Sequence, residues 1–95
     1  MERSEKIKLL AYHYGKTHQL QKAFEEIGEL IVAICKYADC REDEKAALKD
    51  DIIGEIADVC VLMEQLKLFY GPKEVEDRID FKIDRQIERI CMGRD

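Results

Sequence analysis

Two pairs of carboxylates set the chemistry to be explained. Glu26 and Glu29 stand three residues apart, as do Glu55 and Asp58. Each pair sits among aliphatic residues beside a glycine, in Phe24-Glu25-Glu26-Ile27-Gly28-Glu29-Leu30 and Ile53-Gly54-Glu55-Ile56-Ala57-Asp58. On a helix, residues three apart lie about 60° from one another, so each pair shares a face. Ionised carboxylates half-buried without cations repel one another and lose hydration, so they need raised pKa values or a compensating positive charge. Lys22, four residues before Glu26, can help one of them. A divalent ion can serve all four, and oxygen ligands without His or Cys at ligand spacing favour a hard ion, Mg2+ or Mn2+. One such glutamate alone reads as part of a solvated helix face. Two pairs on adjacent glycine-containing helices read as a metal centre.

Helical periodicity must then supply the elements that hold these acids, and no stretch alternates apolar and polar residues as a strand would. The expected fold class is all-α, with four helices in a bundle-like arrangement. Ile7, Leu10, Ala11 and Tyr14 mark a first helix over about 3 to 14, stopped by Gly15. Thr17 is placed to cap a second helix, running to Tyr37 or Ala38, with an apolar face of Leu20, Ala23, Phe24, Ile27, Leu30, Ile31, Ile34, Cys35 and Ala38. Residues 39 to 45 read as a charged surface loop between two long antiparallel helices. The third helix, from about Ala46, carries Leu48, Ile52, Ile56, Val59, Cys60, Met63, Leu66 and Phe69 and ends at Gly71-Pro72. The fourth starts at Pro72 and bears Val75, Ile79, Ile83, Ile87 and Ile90 up to the tail Met92-Gly93-Arg94-Asp95. Gly28 and Gly54 weaken otherwise strong helices by roughly 1 kcal/mol each, which predicts close approach of the second and third helices there. The three methionines, together with Leu62, read as core.

With 95 residues, 46% of them hydrophobic, the chain forms one domain, small enough to gain from a partner. Leu62, Leu68 and Tyr70 fall off the main apolar stripe and are expected to lie against a second chain. The net charge of -5 disfavours nonspecific binding to nucleic acid or to an anionic membrane, and any anionic ligand needs a bridging cation. The first residues lack the apolar core of a secretory signal, and charges break every longer apolar run. The expected location is therefore cytoplasmic. Cys35, Cys40, Cys60 and Cys91 form no CxxC pair and read as reduced small hydrophobes.

Glu25-Glu26-x-x-Glu29 followed, 25 intervening residues later, by Glu55-x-x-Asp58 resembles the EExxE...ExxD signature of MazG-like nucleotide pyrophosphohydrolases. Tyr14-Gly15-x-x-x-Gln19-Leu20 and Phe81-Lys82-x-x-Arg85 extend the resemblance to about residues 12 to 90. It implies Mg2+-dependent hydrolysis of a nucleoside triphosphate between its α and β phosphates, giving a monophosphate and pyrophosphate. It also implies a homodimer or a dimer of dimers. Glu26, Glu29, Glu55 and Asp58 would hold one or two ions. Glu25 would orient or deprotonate the attacking water, or complete the shell of a second ion. The substrate is left open among dUTP, dCTP, other nucleotides and damaged ones.

Arg78, Lys82, Arg85 and Arg89 make a basic stripe on the fourth helix. Arg78 and Arg89 read as surface ion pairs with neighbouring acids, whereas Lys82 and Arg85 match the family's basic positions and are expected on phosphate. Gln19, Lys22, Tyr12, Tyr14, His13 and His18 lie where a base could be read by stacking or amide hydrogen bonds. The two histidines, five residues apart, do not share a helix face and do not form a metal pair. A di-iron bundle would need Glu-x-x-His motifs, and neither His13 nor His18 has an acid three positions before it. The alternative from another class is a noncatalytic all-α dimerisation or metal-binding module.

Overall fold

The computed structural model describes residues 1–93, and every element in it is helical. The elements are α1 (Arg3–Tyr14), α2 (Lys16–Ala38), a single 3-10 turn (Glu42–Glu44), α3 (Lys45–Tyr70) and α4 (Pro72–Cys91). Arg94 and Asp95 of the expected tail lie outside the described residues. Among those described, no helix is long and apolar enough to cross a membrane.

Two glycines turn the chain with no loop to spare. Gly15, at φ 84°, donates its N–H to the Ala11 carbonyl at 2.9 Å and accepts from the Gln19 N–H at 3.0 Å. It closes α1 and opens α2 at once, so Thr17 lies inside the helix and is not its cap. Gly71, at φ 107°, does the same between Lys67 and Val75. Both φ values lie in the region that glycine enters without a Cβ penalty. The segment expected as an open loop shortens to the 3-10 turn, which the Glu44 side chain holds by accepting from the Arg41 N–H at 3.0 Å.

The long antiparallel pair α2 and α3 dominates the packing, α1 lies against both, and α4 touches only α3. A clamp fixes the start of α4: Lys67 Nζ reaches Glu64 at 2.9 Å on its own helix and Glu76 at 2.6 Å on α4. These two hydrogen bonds, Glu76 first, hold the Lys67 pKa above its ordinary value.

The seam between α2 and α3 differs from the expected core. On α2 it consists of Gln19, Ala23, Glu26 and Ala33, all buried, with Leu30 half-buried. The large apolar residues expected there, Leu20, Phe24, Ile27, Ile31 and Ile34, are exposed, Phe24 by 85%. The two stripes are one residue out of step, about 100° around the helix. Because α2 is apolar over more than half its circumference, periodicity alone does not decide which stripe meets α3. On α3 the seam is formed by buried Leu62 and Gln65, with Leu48, Ile52, Glu55, Val59 and Leu66 half-buried. Leu62, 5% exposed, is thus a core residue and is not free for a partner. Leu68 is half-buried and Tyr70 exposed, while Ile56, expected in the core, is 46% exposed.

On α4 only Val75 is half-buried, and Ile79, Ile83, Ile87 and Ile90 all face outward. The radius of gyration, 16.7 Å, exceeds the roughly 12 Å of a compact chain of this length. Met63 packs, but Met1 and Met92 are exposed. The four cysteines are free, and Cys35, Cys60 and Cys91 are exposed, so they do not serve as packed hydrophobes.

Gly28 and Gly54 are not points of helix contact. A Cβ at either would meet nothing within 4 Å. The expected close approach is therefore absent, and both glycines line an open cleft. Gly28→Ala should raise stability by about 0.5 to 1 kcal/mol, because it restores helix propensity without a clash. A urea melt showing a loss would mean that the position does not tolerate a methyl group.

Candidate metal centre

The antiparallel pairing of α2 and α3 carries Glu55 across to Glu26 and Glu29. One carboxylate oxygen from each of the three lies within 4.8 Å of the others. Two oxygens on opposite sides of a magnesium ion, each about 2.1 Å from it, stand about 4.2 Å apart, so small rotations would suit the three to one ion. Glu26 is 8% exposed, and its Oε2, like Glu55 Oε2, is buried with no hydrogen-bond partner. Buried carboxylate oxygens left this way are costly unless a ligand completes them. The donor set is oxygen only, which fits Mg2+ or Mn2+.

Lys22 Nζ is the cation at hand, 3.4 Å from Glu26 and 3.5 Å from Glu25. The hydrogen bond to Glu26, followed by the charges of Glu26 and Glu25, raises the Lys22 pKa. Glu29 responds in the opposite sense to a satisfied acid. Its carboxyl is held above the ordinary value first by a hydrogen bond with Glu26, then by the Glu26 charge, desolvation and the Glu55 charge, against a small lowering by Lys22. The Glu26 hydrogen bond and charge that hold the Glu29 carboxyl up are the strain that one bound cation would relieve.

Asp58 does not belong to the three-carboxylate group. With Glu25 it is exposed and lines both clefts that border the site. The first cleft, of about 510 Å³, lies between α1, α2 and α3 and is lined by Tyr14, His18, Gln19, Lys22, Glu26 and Gln65 among others. The second, of about 860 Å³, runs along α2 and α3 past Gly28, Glu29, Asp50, Asp51, Gly54 and Glu55.

Gln19 and Lys22 are thus near the acids, as expected, whereas Lys82 and Arg85 line neither cleft. Lys82 borders a separate hollow with Tyr70, Glu74, Val75, Arg78 and Ile79, and Arg85 lies over the Phe81 ring at 5.9 Å. Among the described residues, Arg78 and Arg89 form none of the expected ion pairs. Within α4 the pairing is Lys73 with Asp77, at 2.8 Å, beside the Lys67 to Glu76 clamp from α3.

A buried relay that sequence reasoning missed runs beside the acids. Gln65 Nε2 donates to the Val61 carbonyl at 3.2 Å, Gln19 Nε2 donates to Gln65 Oε1 at 2.6 Å, and Gln19 Oε1 stands 2.7 Å from His18 Nδ1. The Val61 carbonyl can only accept, which orients both amides and makes His18 Nδ1 the donor to Gln19. Tyr14 stacks on the His18 ring at 4.9 Å and meets His13 edge-on at 4.8 Å. The available signal was Gln65 itself, a glutamine set between Leu62 and Phe69 on an otherwise apolar stripe.

No protein-family model, curated protein or solved structure matches the chain. The reading of the site therefore rests on its geometry and on the residue signature.

Proposed function

We propose that the protein is a nucleoside triphosphate pyrophosphohydrolase, which cleaves between the α and β phosphates with Mg2+ held by Glu26, Glu29 and Glu55. The observation that carries this reading is the meeting of three carboxylates from two helices, two of whose buried oxygens have no partner. Magnesium bound there supplies charge neutralisation for the polyphosphate and activates a water for attack. In this reading Asp58 and Glu25, which line both clefts, take up a second ion or the proton of the attacking water. The stacked Tyr14 and His18 rings, with Gln19 fixed by its relay, offer to a base a flat face and the one Gln19 amide hydrogen not given to Gln65. Lys22 offers a cation at the rim of the same cleft.

In this reading the protein works as a homodimer or a dimer of dimers. Lys82 and Arg85, which lie outside both acid-bearing clefts, then contact phosphate from the α4 of a second copy. Lys82→Ala should raise KM for a triphosphate by about tenfold, the equivalent of one lost charged hydrogen bond, with Mg2+ binding unchanged. Steady-state kinetics beside calorimetric Mg2+ titration checks both halves. The reading itself is tested by Mg2+-dependent pyrophosphate release over a panel of canonical and damaged nucleotides. A chain that binds Mg2+ but releases pyrophosphate from none of them is a metal-binding or dimerisation module.

A further inference from the structure

Gln65 takes no part in the metal centre, yet it is 2% exposed, and among the described residues only Ala11 is buried more deeply. It stands on the α3 seam beside Leu62, Leu66 and Phe69, where an aliphatic side chain would pack with no polar group to satisfy. Its Nε2 donates to the Val61 carbonyl at 3.2 Å. That oxygen cannot donate, so Gln65 Oε1 is fixed as the acceptor of the Gln19 Nε2–H, at 2.6 Å. His18 Nδ1, 2.7 Å from Gln19 Oε1, closes the chain from the other side. It donates there whether its ring is neutral or protonated, so the order of donors and acceptors does not change with pH. Gln19, 4% exposed, borders the first cleft together with Gln65, His18 and Tyr14.

We infer that Gln65 is a positioning residue: it locks the Gln19 amide so that the first cleft selects nucleobases by an exocyclic carbonyl oxygen and rejects those with an amino group at the same place. This selection rests on the reading of that cleft as a nucleotide site. Of the two polar ends of Gln19, the oxygen already accepts from His18, whereas one hydrogen of Nε2 has no acceptor among the described residues. An N–H left unpaired in a nearly buried place is costly, which favours a ligand that brings an acceptor. Uracil, thymine, guanine and hypoxanthine bring a carbonyl oxygen. Cytosine and adenine bring an amino group instead, which sets donor against donor. An unrestrained glutamine meets either kind of base, because its amide turns over and exchanges nitrogen for oxygen. Here that turn would put Gln19 Oε1 against Gln65 Oε1, across the 2.6 Å contact. Turning both amides only moves the conflict to Gln65 Oε1 against the Val61 carbonyl. A backbone oxygen of α3 thus decides, through two side chains, which base edge the cleft accepts.

Two pairs of nucleoside monophosphates test it, each pair differing by a carbonyl against an amino group at the same ring position: UMP against CMP, and IMP against AMP. They are titrated calorimetrically into the protein at saturating Mg2+. The wild type should bind the carbonyl member of each pair at least about tenfold more tightly, the effect of a hydrogen bond made against one left unmade. Gln65→Leu frees the Gln19 amide to turn and should bring the members of each pair within about threefold of one another. A residue that merely filled the seam would weaken all four alike and leave the ratios unchanged. Should Gln65→Leu fail to fold, the wild-type ratios still decide, together with Gln65→Glu, whose carboxylate still accepts from Gln19 and should keep the preference. Equal affinity within each pair overturns the inference, and so does a preference for the amino member or one that survives in Gln65→Leu. A wild type that binds none of the four overturns it as well. A protein that binds UMP over CMP and IMP over AMP but releases pyrophosphate from no nucleotide keeps the base site and loses the hydrolase reading. One that releases pyrophosphate from carbonyl and amino nucleotides with equal kcat/KM keeps the hydrolase reading and loses the role of Gln65.

Discussion

Glu29→Gln is expected to abolish Mg2+-dependent pyrophosphate release while leaving the metal-free protein as stable as the wild type or more so. The loss in rate should exceed the roughly 10- to 100-fold that follows loss of an outer-sphere partner, because Glu29 supplies an oxygen to the ion itself. The sign of the stability change separates a functional acid from a structural one. In the absence of metal, Glu26 and Glu55 push the Glu29 carboxyl above its ordinary pKa, so its ionisation is a cost that the amide removes. Proton linkage gives the direction. A carboxyl whose pKa is higher folded than unfolded adds stability that is complete below the unfolded value, about 4.3, and is lost as pH rises through the elevated folded value. Wild type without metal should therefore lose part of its stability across that interval. Added Mg2+ should restore it, and Glu29→Gln should show neither change. Thermal melts at a series of pH values, with and without Mg2+, read all three. A Glu29→Gln protein with wild-type turnover and Mg2+ affinity would end the metal-centred account.

Leu62→Ala is expected to give the largest loss of stability of any single truncation, about 2 to 5 kcal/mol. Leu62 is the large aliphatic residue that the protomer buries, and it borders the cleft where Leu10 and Tyr14 of α1 meet Gln19 of α2. In a chain of this size that loss lowers the melting temperature by about 10 °C or more. The Gln19 to Gln65 hydrogen bond, next to the cavity created, would loosen with it. Chemical denaturation measures the loss directly. A change below about 1 kcal/mol would show that Leu62 does not hold α1, α2 and α3 together.

Helix positions were legible because the punctuation is local. Gly15, Gly71 and Pro72 restrict or free φ through their own covalent structure, and the chain bends at them whatever surrounds it. The pairing of the acids was legible for a related reason: the i, i+3 spacing fixes which carboxylates share a face, and a short connection makes neighbouring helices antiparallel. Asp58 shows the limit of spacing. It lies on the same side as Glu55, yet side-chain reach across the groove leaves it out of the three-carboxylate group.

The sequence by itself determined the all-helical class, the ends of the helices and the common face of Glu26 and Glu29, since each depends on backbone chemistry or on a period within one helix. Tertiary structure decided which side of α2 is interior. Two stripes of comparable apolarity compete there, and the small stripe with Gln19, Ala23, Glu26 and Ala33 meets α3, while the larger aliphatics are left outside. It decided that Gly28 and Gly54 border open space, and that Lys82 and Arg85 stand apart from the acids of their own protomer, because α4 touches α3 alone. Each of these depends on the rotation of one helix against another. That rotation is set by the sum of many weak contacts between distant segments, and no local period records it.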